Sequence, residues 1–242
     1  MIIGISGKSG SGKDLVAGII QYLIWKKRVE RGELLQYYPT FQDFIQKNVG
    51  GYGALSGWKV VKFADKLKDI ICLLTGCTRE DLENQDFKKQ ILPEEWWFWT
   101  FSKFGLKKII PYDKNGYDET KYRGLILKKP TYRYLLTYIG TDLIRDRLHP
   151  NAWVIATLAE YKNSDNWLIS DLRFNNELKA IKDKGGITIR VNRDNRTFLN
   201  TIPHASETEL DNAHFDYYLN NNSSIEALIV GVNEILIREN IL

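Results

Sequence analysis

Apolar and polar positions along the chain follow two alternating patterns, one typical of buried strands and one typical of helices. At the start, Ile2, Ile3 and Ile5 form an apolar run that suits a parallel strand buried on both faces. Apolar residues then recur at helical spacing over residues 15–26, and Gly32 is a typical helix end. The pattern therefore predicts a strand, a short loop and a helix.

The same alternation of strand and helix patterns continues through the rest of the chain. Strand patterns occur at residues 59–64, 167–171, 187–193 and 217–219, and helical patterns at residues 65–74, 134–146, 152–161, 175–186 and 224–239. Strands that alternate with helices pair in parallel, because each connection places a helix on a face of the sheet. We therefore predict an α/β fold in which a mostly parallel sheet is flanked by helices.

Two segments interrupt this alternation. Residues 33–57 are polar and contain glycine, whereas residues 88–130 combine tryptophans with many lysines. The second segment is compatible with a lid or substrate-side insertion, with a basic aromatic surface for single-stranded nucleic acid, or with a helical hairpin that buries its tryptophans. We expect one domain over residues 1–242, with a helical or loop insertion at about 88–130.

Composition and charge narrow the class of protein. The 242 residues are 43% hydrophobic, which suffices for the core of one large domain. Cys72 and Cys77 give neither a disulfide framework nor a metal-ligand cluster. No apolar run approaches the roughly 18 residues of a membrane span, so we expect a cytoplasmic protein without a membrane partner. The net charge of +4 is too small to indicate a nucleic-acid binder, but it suits anionic substrates.

The loop between the first strand and the first helix has the glycine spacing of a phosphate-binding loop. Gly7, Gly12 and Lys13 fit the pattern Gly-x4-Gly-Lys, in which backbone N–H groups surround the anion and the lysine reaches the outer phosphates. The positive end of the following helix favours a phosphate at the same point. Asp14 departs from the pattern, because a serine or threonine at this position would offer a hydroxyl group to magnesium.

A second group of polar residues follows the predicted strand at 167–171. Ligands of open parallel sheets gather outside the carboxyl ends of the strands, and Asp171 lies at such an end, where it suits magnesium or substrate recognition. Arg173 can grip a phosphate with two hydrogen bonds, and Glu177 can hold that guanidinium in place or recognise a sugar or base. An ordinary salt-bridged helix start is the alternative.

Several segments, in the same order over most of the chain, resemble the bacteriophage deoxynucleoside monophosphate kinases. The matching pieces are Gly-Lys-Ser-Gly-Ser-Gly-Lys-Asp at 7–14, Phe-Ala-Asp-Lys-Leu-Lys at 63–68, Arg133, Gly-Thr-Asp at 140–142, Arg145, Trp153, Ser-Asp-Leu-Arg-Phe-Asn-Asn-Glu at 170–177, Gly-Gly at 185–186 and His-Ala-Ser-Glu at 204–207. The pattern Asp-x-Arg-Phe-x-Asn-Glu within residues 171–177 is the most specific of these pieces.

This resemblance implies a P-loop nucleoside monophosphate kinase fold and transfer of the γ-phosphoryl group of ATP to a dNMP, giving dNDP and ADP. It implies ATP and a dNMP as partners, Mg²⁺ as cofactor, no stable nucleic-acid partner, a possible homodimer and, for a phage-encoded enzyme, the host cytoplasm. The family commonly has aspartate after the loop lysine, which accounts for Asp14. It often has threonine next, where this chain has Leu15. Asp14 or a water must then organise the Mg²⁺.

The resemblance also implies roles for individual residues. The ATP phosphates would be held by Lys8, Ser9, Gly10, Ser11, Gly12, Lys13 and Asp14. The acceptor pocket would be lined by Phe63, Lys68, Arg133, Trp153, Asp171, Arg173 and Glu177, with the aromatic rings against the base and the cations on its α-phosphate. The catalytic residues would be Lys13, Asp14, Arg133, Arg145, Asp171 and Arg173, with Arg145 as a mobile cation that closes over the phosphates.

Alternatives stay open for some residues and for the function. Phe63 also has the pattern of a core strand residue, Trp153 that of a helix residue packed on the sheet, and His204 that of a loop residue. Another small-molecule P-loop kinase, such as a dephospho-coenzyme A kinase-like enzyme or a nucleoside kinase, is the enzyme alternative. The other classes are a nucleic-acid-binding P-loop ATPase that uses residues 88–130, and a nucleotide-binding module without turnover.

Overall fold

The computed structural model describes residues 1–35, 38–47, 55–100, 110–113, 122–194 and 208–242. The chain divides into two compact units: the first contains Met1–Phe63 and Val154–Leu242, and the second contains Ala64–Trp153. The predicted single domain therefore stays a prediction. His204 and parts of the predicted insertion at 88–130 lie outside the described residues.

Within the described residues, strands and helices alternate along most of the chain. The strands are β1 (Ile2–Ser6), β2 (Lys59–Val61), β3 (Phe98–Thr100), β4 (Ile110–Pro111), β5 (Ile126–Lys128), β6 (Trp167–Leu172), β7 (Ile187–Asn192) and β8 (Tyr217–Asn220). The helices are α1 (Lys13–Glu30), α2 (Phe41–Lys47), α3 (Asp65–Thr75), α4 (Arg79–Glu83), α5 (Tyr132–Thr137), α6 (Ala152–Leu158), α7 (Asn175–Asp183) and α8 (Ile225–Arg238).

The first unit is built on a five-stranded sheet in the order β2-β6-β1-β7-β8, with every neighbouring pair parallel. All five residues of β1 are buried, as expected of a central strand. Ile3 and Ile5 pack in a core with α1 and α8, whereas Ile2 packs in a second core with α7. Helices thus cover both faces of the sheet, and the α/β prediction is confirmed.

Helix α1 is buried along most of its length. Residues 15–26, for which the apolar spacing predicted a helix, are helical. The helix continues to Glu30, and Gly32 then takes the left-handed conformation with φ 73°. Tyr22 and Trp25 of α1 pack against Phe44 of α2, with ring centroids 5.3–5.5 Å apart. The polar interruption at residues 33–57 therefore contains a short helix that the sequence pattern did not predict.

The second unit has a core of its own. It is formed by Ile71, Leu82, Leu92, Tyr132, Leu135 and Ile139. Helix α5 continues directly into a π-helix, Tyr138–Leu148, so the helix predicted at 134–146 is present but is wound differently. Cys72 and Cys77 are free thiols, as expected, with sulfur atoms 3.9 Å apart.

The described part of the predicted insertion forms short antiparallel strands and not a helical hairpin. Its three-stranded sheet has the order β4-β3-β5. Trp97 packs against Tyr112 and Trp99 stacks on Tyr122, so the tryptophans contact aromatic side chains of the same segment. The helical-hairpin interpretation is therefore wrong for these residues, because the aromatic rings are packed by strand pairing.

Among the described residues, no helix has the length and apolar character needed to cross a membrane.

Candidate nucleotide-binding site

The turn between β1 and α1 can form only with glycine at two positions. A Cβ atom at Gly7 would overlap the Ser11 side chain and the Val191 carbonyl oxygen. At Gly12 the backbone is left-handed, with φ 98°, and a Cβ atom would overlap the amide nitrogen of Asn221. Gly12 is also the N-cap of α1, where it brings no side chain to the first N–H groups of the helix. Those N–H groups point toward the position that a bound anion would take.

Lys13 is folded back over this turn. Its Nζ atom donates to the carbonyl oxygens of Gly7, at 2.6 Å, and Lys8, at 2.8 Å, and the residue is buried. The ammonium group is thereby held over the residues that the glycine pattern assigns to phosphate binding. A phosphate arriving there meets a cation that is already in place.

Asp14 lies at the first turn of α1 between two polar partners. Its Oδ1 atom accepts a hydrogen bond from the Ser170 hydroxyl of β6 at 2.8 Å and pairs with the Lys62 ammonium at 3.0 Å. Burial raises the pKa of the Asp14 carboxyl, but Lys62 and Ser170 together outweigh it, so the pKa lies below its usual value. The carboxylate is therefore ionised at neutral pH, with 71% of its side chain exposed to solvent.

Asn221 and Arg190 support the loop from the neighbouring strands. The Asn221 side chain follows β8 and donates to the Ser11 carbonyl oxygen at 2.9 Å. Arg190 of β7 donates to the Ser6 hydroxyl and pairs with Asp211, each at 2.9 Å. These contacts tie the carboxyl ends of three parallel strands to the loop that begins there.

Asp171 and Phe63 are linked through the backbone. The Asp171 Oδ1 atom accepts the Phe63 N–H at 2.8 Å, so this carboxylate holds the chain that leaves β2. The Phe63 ring is 2% exposed and packs in the core that also contains Trp167 and Leu178. This burial favours the core alternative for Phe63, and its contact with a base stays a prediction.

Glu177 holds the backbone of Arg173. The Glu177 carboxylate is 2% exposed and accepts the N–H groups of Arg173, at 2.8 Å, and Phe174, at 3.1 Å. This is the reciprocal part of a capping box, in which an acid in the first turn satisfies the N–H groups that precede the helix. The predicted role of Glu177 in supporting Arg173 therefore has a physical basis in the main chain.

In the second unit, the predicted acceptor cations have side-chain partners. The Lys68 ammonium pairs with the Glu83 carboxylate, and the Arg133 guanidinium donates to the side-chain amide oxygen of Gln85 at 2.6 Å. Arg145 lies in the π-helix, partly buried. The Trp153 indole donates to the Gly140 carbonyl oxygen at 2.8 Å and is 7% exposed, which favours a packing role for this ring.

The structure brings several predicted residues together and adds three that sequence reasoning missed. Lys13 and Asp14 lie at one loop, and Asp171 is within one residue of Ser170, which contacts Asp14. Lys62, Ser170 and Asn221 were not predicted as site residues. Lys62 and Asn221 directly follow β2 and β8, and Ser170 is the third-last residue of β6. Polar residues at that edge are the signal that could have found them.

The residues at Asp14 fit a magnesium ion that is held jointly with a nucleotide. Mg²⁺ prefers oxygen ligands and is usually bound through one or two carboxylates together with substrate phosphates. An ionised carboxylate and a hydroxyl oxygen, next to a phosphate loop, form such a set. Among the described residues there is no cluster of three acids, histidines or cysteines that would hold a metal ion without a nucleotide.

A phosphate loop at the carboxyl end of the central strand, with a helix directly after it, defines a P-loop α/β protein. The family model described as deoxynucleotide monophosphate kinase matches residues 102–232, more than half of the chain. The chain belongs to the deoxynucleotide monophosphate kinase family. The matched range contains Arg133, Arg145, Trp153 and the 171–177 motif, whereas the phosphate loop precedes it.

A viral relative is similar over part of the chain. A protein of Acanthamoeba polyphaga mimivirus, named "Putative deoxynucleotide monophosphate kinase", is 37% identical over 110 residues, which are 40% of this chain and 56% of the relative. The chain thus spans about half the length of the curated relative that it matches. The origin of this chain from a bacteriophage stays a prediction.

Proposed function

We propose that this protein transfers the γ-phosphoryl group of ATP to a deoxynucleoside monophosphate, giving a deoxynucleoside diphosphate and ADP. The observation that carries the proposal is the position of Lys13 at the start of α1, with its ammonium folded back over the glycine-containing loop, in a chain of this family. Phosphoryl transfer requires positioning and charge neutralisation, with little covalent assistance from the protein.

The phosphate loop supplies the donor half of this reaction. The N–H groups of residues 8–14 surround the β- and γ-phosphates, and the Lys13 ammonium moves from the carbonyl oxygens of Gly7 and Lys8 to phosphate oxygens. Asp14 faces the same position and would hold Mg²⁺, which when bound neutralises charge on the phosphate oxygens. A carboxylate beside a triphosphate is otherwise repulsive, so the position of Asp14 supports a cation between them.

Four cations are proposed for the acceptor and the transferred group. Arg173, Arg133 and Lys68 would bind the α-phosphate of the dNMP, and Arg145 would close over the transferred group. Asp171 and Glu177 would help to shape the acceptor site through their contacts with the backbone N–H groups of Phe63 and Arg173. The attacking phosphate oxygen is already anionic, so no side chain needs to accept a proton from it.

The test is a coupled assay of ADP release with ATP, Mg²⁺ and each of the four dNMPs in turn. The corresponding ribonucleotides, nucleosides, dephospho-coenzyme A and an oligonucleotide serve as competing acceptors or stimulators. We expect ADP release above the no-acceptor background with at least one dNMP and no stimulation by the oligonucleotide. Lys13→Met, purified in the same way, is the control for contaminating kinases.

Three results would overturn the proposal. If no dNMP raises ADP release above background, the acceptor class is wrong. If dephospho-coenzyme A or a nucleoside is the preferred acceptor, the protein is another small-molecule kinase and not a dNMP kinase. Stimulation by the oligonucleotide that falls steeply with salt would instead favour a nucleic-acid-dependent ATPase.

A further inference from the structure

The two side chains that P-loop enzymes use to hold magnesium, a hydroxyl and a carboxylate, are interchanged at the positions of Asp14 and Ser170. In P-loop enzymes the magnesium ion is held by a serine or threonine after the loop lysine and by an aspartate on a neighbouring strand. Here the residue after Lys13 is the carboxylate Asp14, and the residue that faces it from β6 is the hydroxyl Ser170. Both functional groups are present, each on the element that normally carries the other.

We propose that Asp14 and Ser170 together form the divalent-cation site of the nucleotide, with Ser170 as a direct hydroxyl ligand and Lys62 as a cation that competes for Asp14. The inference rests on the proposed use of ATP. Sequence reasoning offered Asp14 for this purpose, and Asp171 for magnesium or substrate recognition, but it gave Ser170 no role.

The hydrogen bond between the two side chains suits Ser170 to this role. A serine hydroxyl has one proton and two lone pairs. The proton of Ser170 is donated to Asp14 Oδ1 at 2.8 Å, so its lone pairs are available to a cation. Adjacent ligands of an octahedral Mg²⁺ site with metal–oxygen distances of about 2.0–2.1 Å lie about 2.9 Å apart, and the two oxygen atoms match that spacing.

Burial fixes Ser170 more firmly than Asp14. Ser170 is 1% exposed within β6, a strand that pairs with both β1 and β2. Its hydroxyl oxygen therefore has a position set by the sheet, whereas the mostly exposed Asp14 side chain is oriented by its partners. A ligand pair of one fixed and one adjustable oxygen suits an ion that arrives together with a nucleotide.

The ammonium group of Lys62 lies where a cation is favoured, next to Asp14 Oδ1. Its Nζ atom lies 3.0 Å from the oxygen atom that also accepts the Ser170 hydrogen bond, at the carboxyl end of β2. A divalent cation bound to Asp14 Oδ1 has to share this oxygen with Lys62 or displace it. Lys62 should therefore weaken cation binding, while Ser170 should strengthen it.

The experiment measures how strongly a metal ion tightens nucleotide binding, without any turnover. The probe is β,γ-imido-ATP carrying a fluorescent N-methylanthraniloyl group, titrated in excess EDTA and in Mg²⁺, with no dNMP. The ratio of the two dissociation constants is the metal increment. Losses of phosphate contacts that do not involve the metal affect both constants alike and leave this ratio unchanged.

We expect the neighbours of Asp14 to change the metal increment in opposite directions. Ser170→Ala should lower it by about tenfold, as for other losses at a metal site, and Asp14→Asn should lower it at least as much. Lys62→Met should raise it, by up to about fivefold for a partly exposed ion pair. The matched control is Lys59→Met, because Lys59 is on the same strand and lies over the Trp167 ring. This control should leave the increment unchanged.

A thiol substitution tests direct ligation by Ser170. Ser170→Cys replaces a hard oxygen ligand by a soft sulfur, so the increment should fall in Mg²⁺ and recover in Mn²⁺ or Cd²⁺. Ser56→Cys, at another buried serine of the first unit, is the control and should show no such change of metal preference. Circular dichroism and the melting temperature establish that each variant is folded.

The outcomes separate this inference from the proposed function. An unchanged increment in Ser170→Ala, or a decrease in Lys62→Met, overturns the inference, as does the absence of any metal-dependent nucleotide binding. If the increments follow the expected pattern but no dNMP supports ADP release, the acceptor class is wrong and the cation site stands. If a dNMP is phosphorylated but Ser170→Ala retains the full increment, the kinase stands and Ser170 is not a ligand.

Discussion

Lys13 and Glu177 in the first unit bond to main-chain atoms, whereas Lys68 and Arg133 in the second unit bond to other side chains. Asp14 is an exception in the first unit, because its partners are the Ser170 and Lys62 side chains. Lys13 bonds to two loop carbonyl oxygens, and Glu177 accepts two backbone N–H groups. In contrast, Lys68 pairs with Glu83 and Arg133 with Gln85. Contacts to the main chain are fixed by the fold itself, but contacts between long side chains can exchange.

This difference suggests a division of work between the two units. The main-chain contacts preorganise the phosphate loop, so little reorganisation is needed when a nucleotide binds. The side-chain pairs of the second unit cost little to break when they are exposed, because such pairs contribute about 1 kcal/mol or less. Arg133, which is exposed, is therefore available to re-pair with an anionic ligand.

The largest effect should come from Lys13→Met, the most direct way to break the preorganised loop. Losing the ammonium should lower kcat by about a hundredfold or more, because it removes charge stabilisation at the transferred phosphoryl group. The measurement is kcat at saturating ATP, with the melting temperature measured alongside it. Lys27→Met is the matched control, since Lys27 lies in the last turn of the same helix, pairs with the exposed Glu30 and should have a much smaller effect. Equal kcat values for the two variants would contradict the role of Lys13.

Arginine replacements in each unit should give the next largest effects. Arg173→Ala and Arg133→Ala should each lower kcat/KM for the dNMP by about ten- to a hundredfold, which corresponds to the loss of one charge-assisted contact of about 1.5–3 kcal/mol. The KM for ATP should barely change. Arg147→Ala, an exposed arginine of the π-helix, is the control.

The arginine experiment sharpens the comparison between the units. Equal losses for Arg173 and Arg133 would mean that each arginine contributes to dNMP binding. A variant that raises only the KM for ATP would show that its arginine was assigned to the wrong substrate.

Glu177→Gln tests the main-chain support in the first unit through stability. The amide is uncharged, so its oxygen accepts the two backbone N–H groups more weakly, and its NH₂ group replaces a buried carboxylate oxygen. The free energy of unfolding should therefore fall by about 1–2 kcal/mol. Urea unfolding measures this change. Asp183→Asn, at an exposed pair with Lys179 in the same helix, should change stability by less than about 0.5 kcal/mol. If the two variants lose the same free energy, the backbone contacts of Glu177 do not stabilise the fold.

The smallest effect should be the pH dependence that arises from Asp14. The pKa of this carboxyl is lowered in the folded protein, so its stabilising contribution is present above the usual value of 3.8 and is lost as the pH falls through the lowered pKa. The stability difference between the parent and Asp14→Asn should stay constant from about pH 5 to 8 and shrink below about pH 4. Because the side chain is mostly exposed, the difference should be below about 1 kcal/mol.

Melting temperatures between pH 3 and 8 provide the measurement for Asp14. Lys62→Met removes the strongest opposite charge, so its profile should show a smaller decrease at low pH. A parent that gains stability relative to Asp14→Asn as the pH falls would contradict the lowered pKa.

The sequence pattern predicted the parts of the fold that depend on local periodicity. The strand at Ile2 and the helix after Lys13 followed from apolar spacing, because both elements are buried along most of their length. The small sheet formed by β3, β4 and β5 did not follow, since strands of two or three residues are too short to show an alternation.

The candidate site was predictable only where one motif contains all of its members. The loop at Gly7–Lys13 is contiguous, so glycine spacing alone indicates its chemistry. The Asp14 partners Ser170 and Lys62 are 156 and 48 positions away along the chain, and only strand pairing brings them together. For Phe63 and Trp153, burial decides between a core role and a ligand role, and burial is a property of the folded chain.

The position of β1 in the sheet has a consequence for the order of folding during synthesis. This strand is translated before its partners β6 and β7, and the Ser6 and Arg190 side chains that meet there are 184 positions apart. Pairings this distant in sequence form slowly, and an unpaired apolar strand is prone to aggregation. Residues 64–153 are continuous in sequence and are complete long before β7 is made. The nascent chain therefore carries an unpaired first strand until β6 and β7 have been translated.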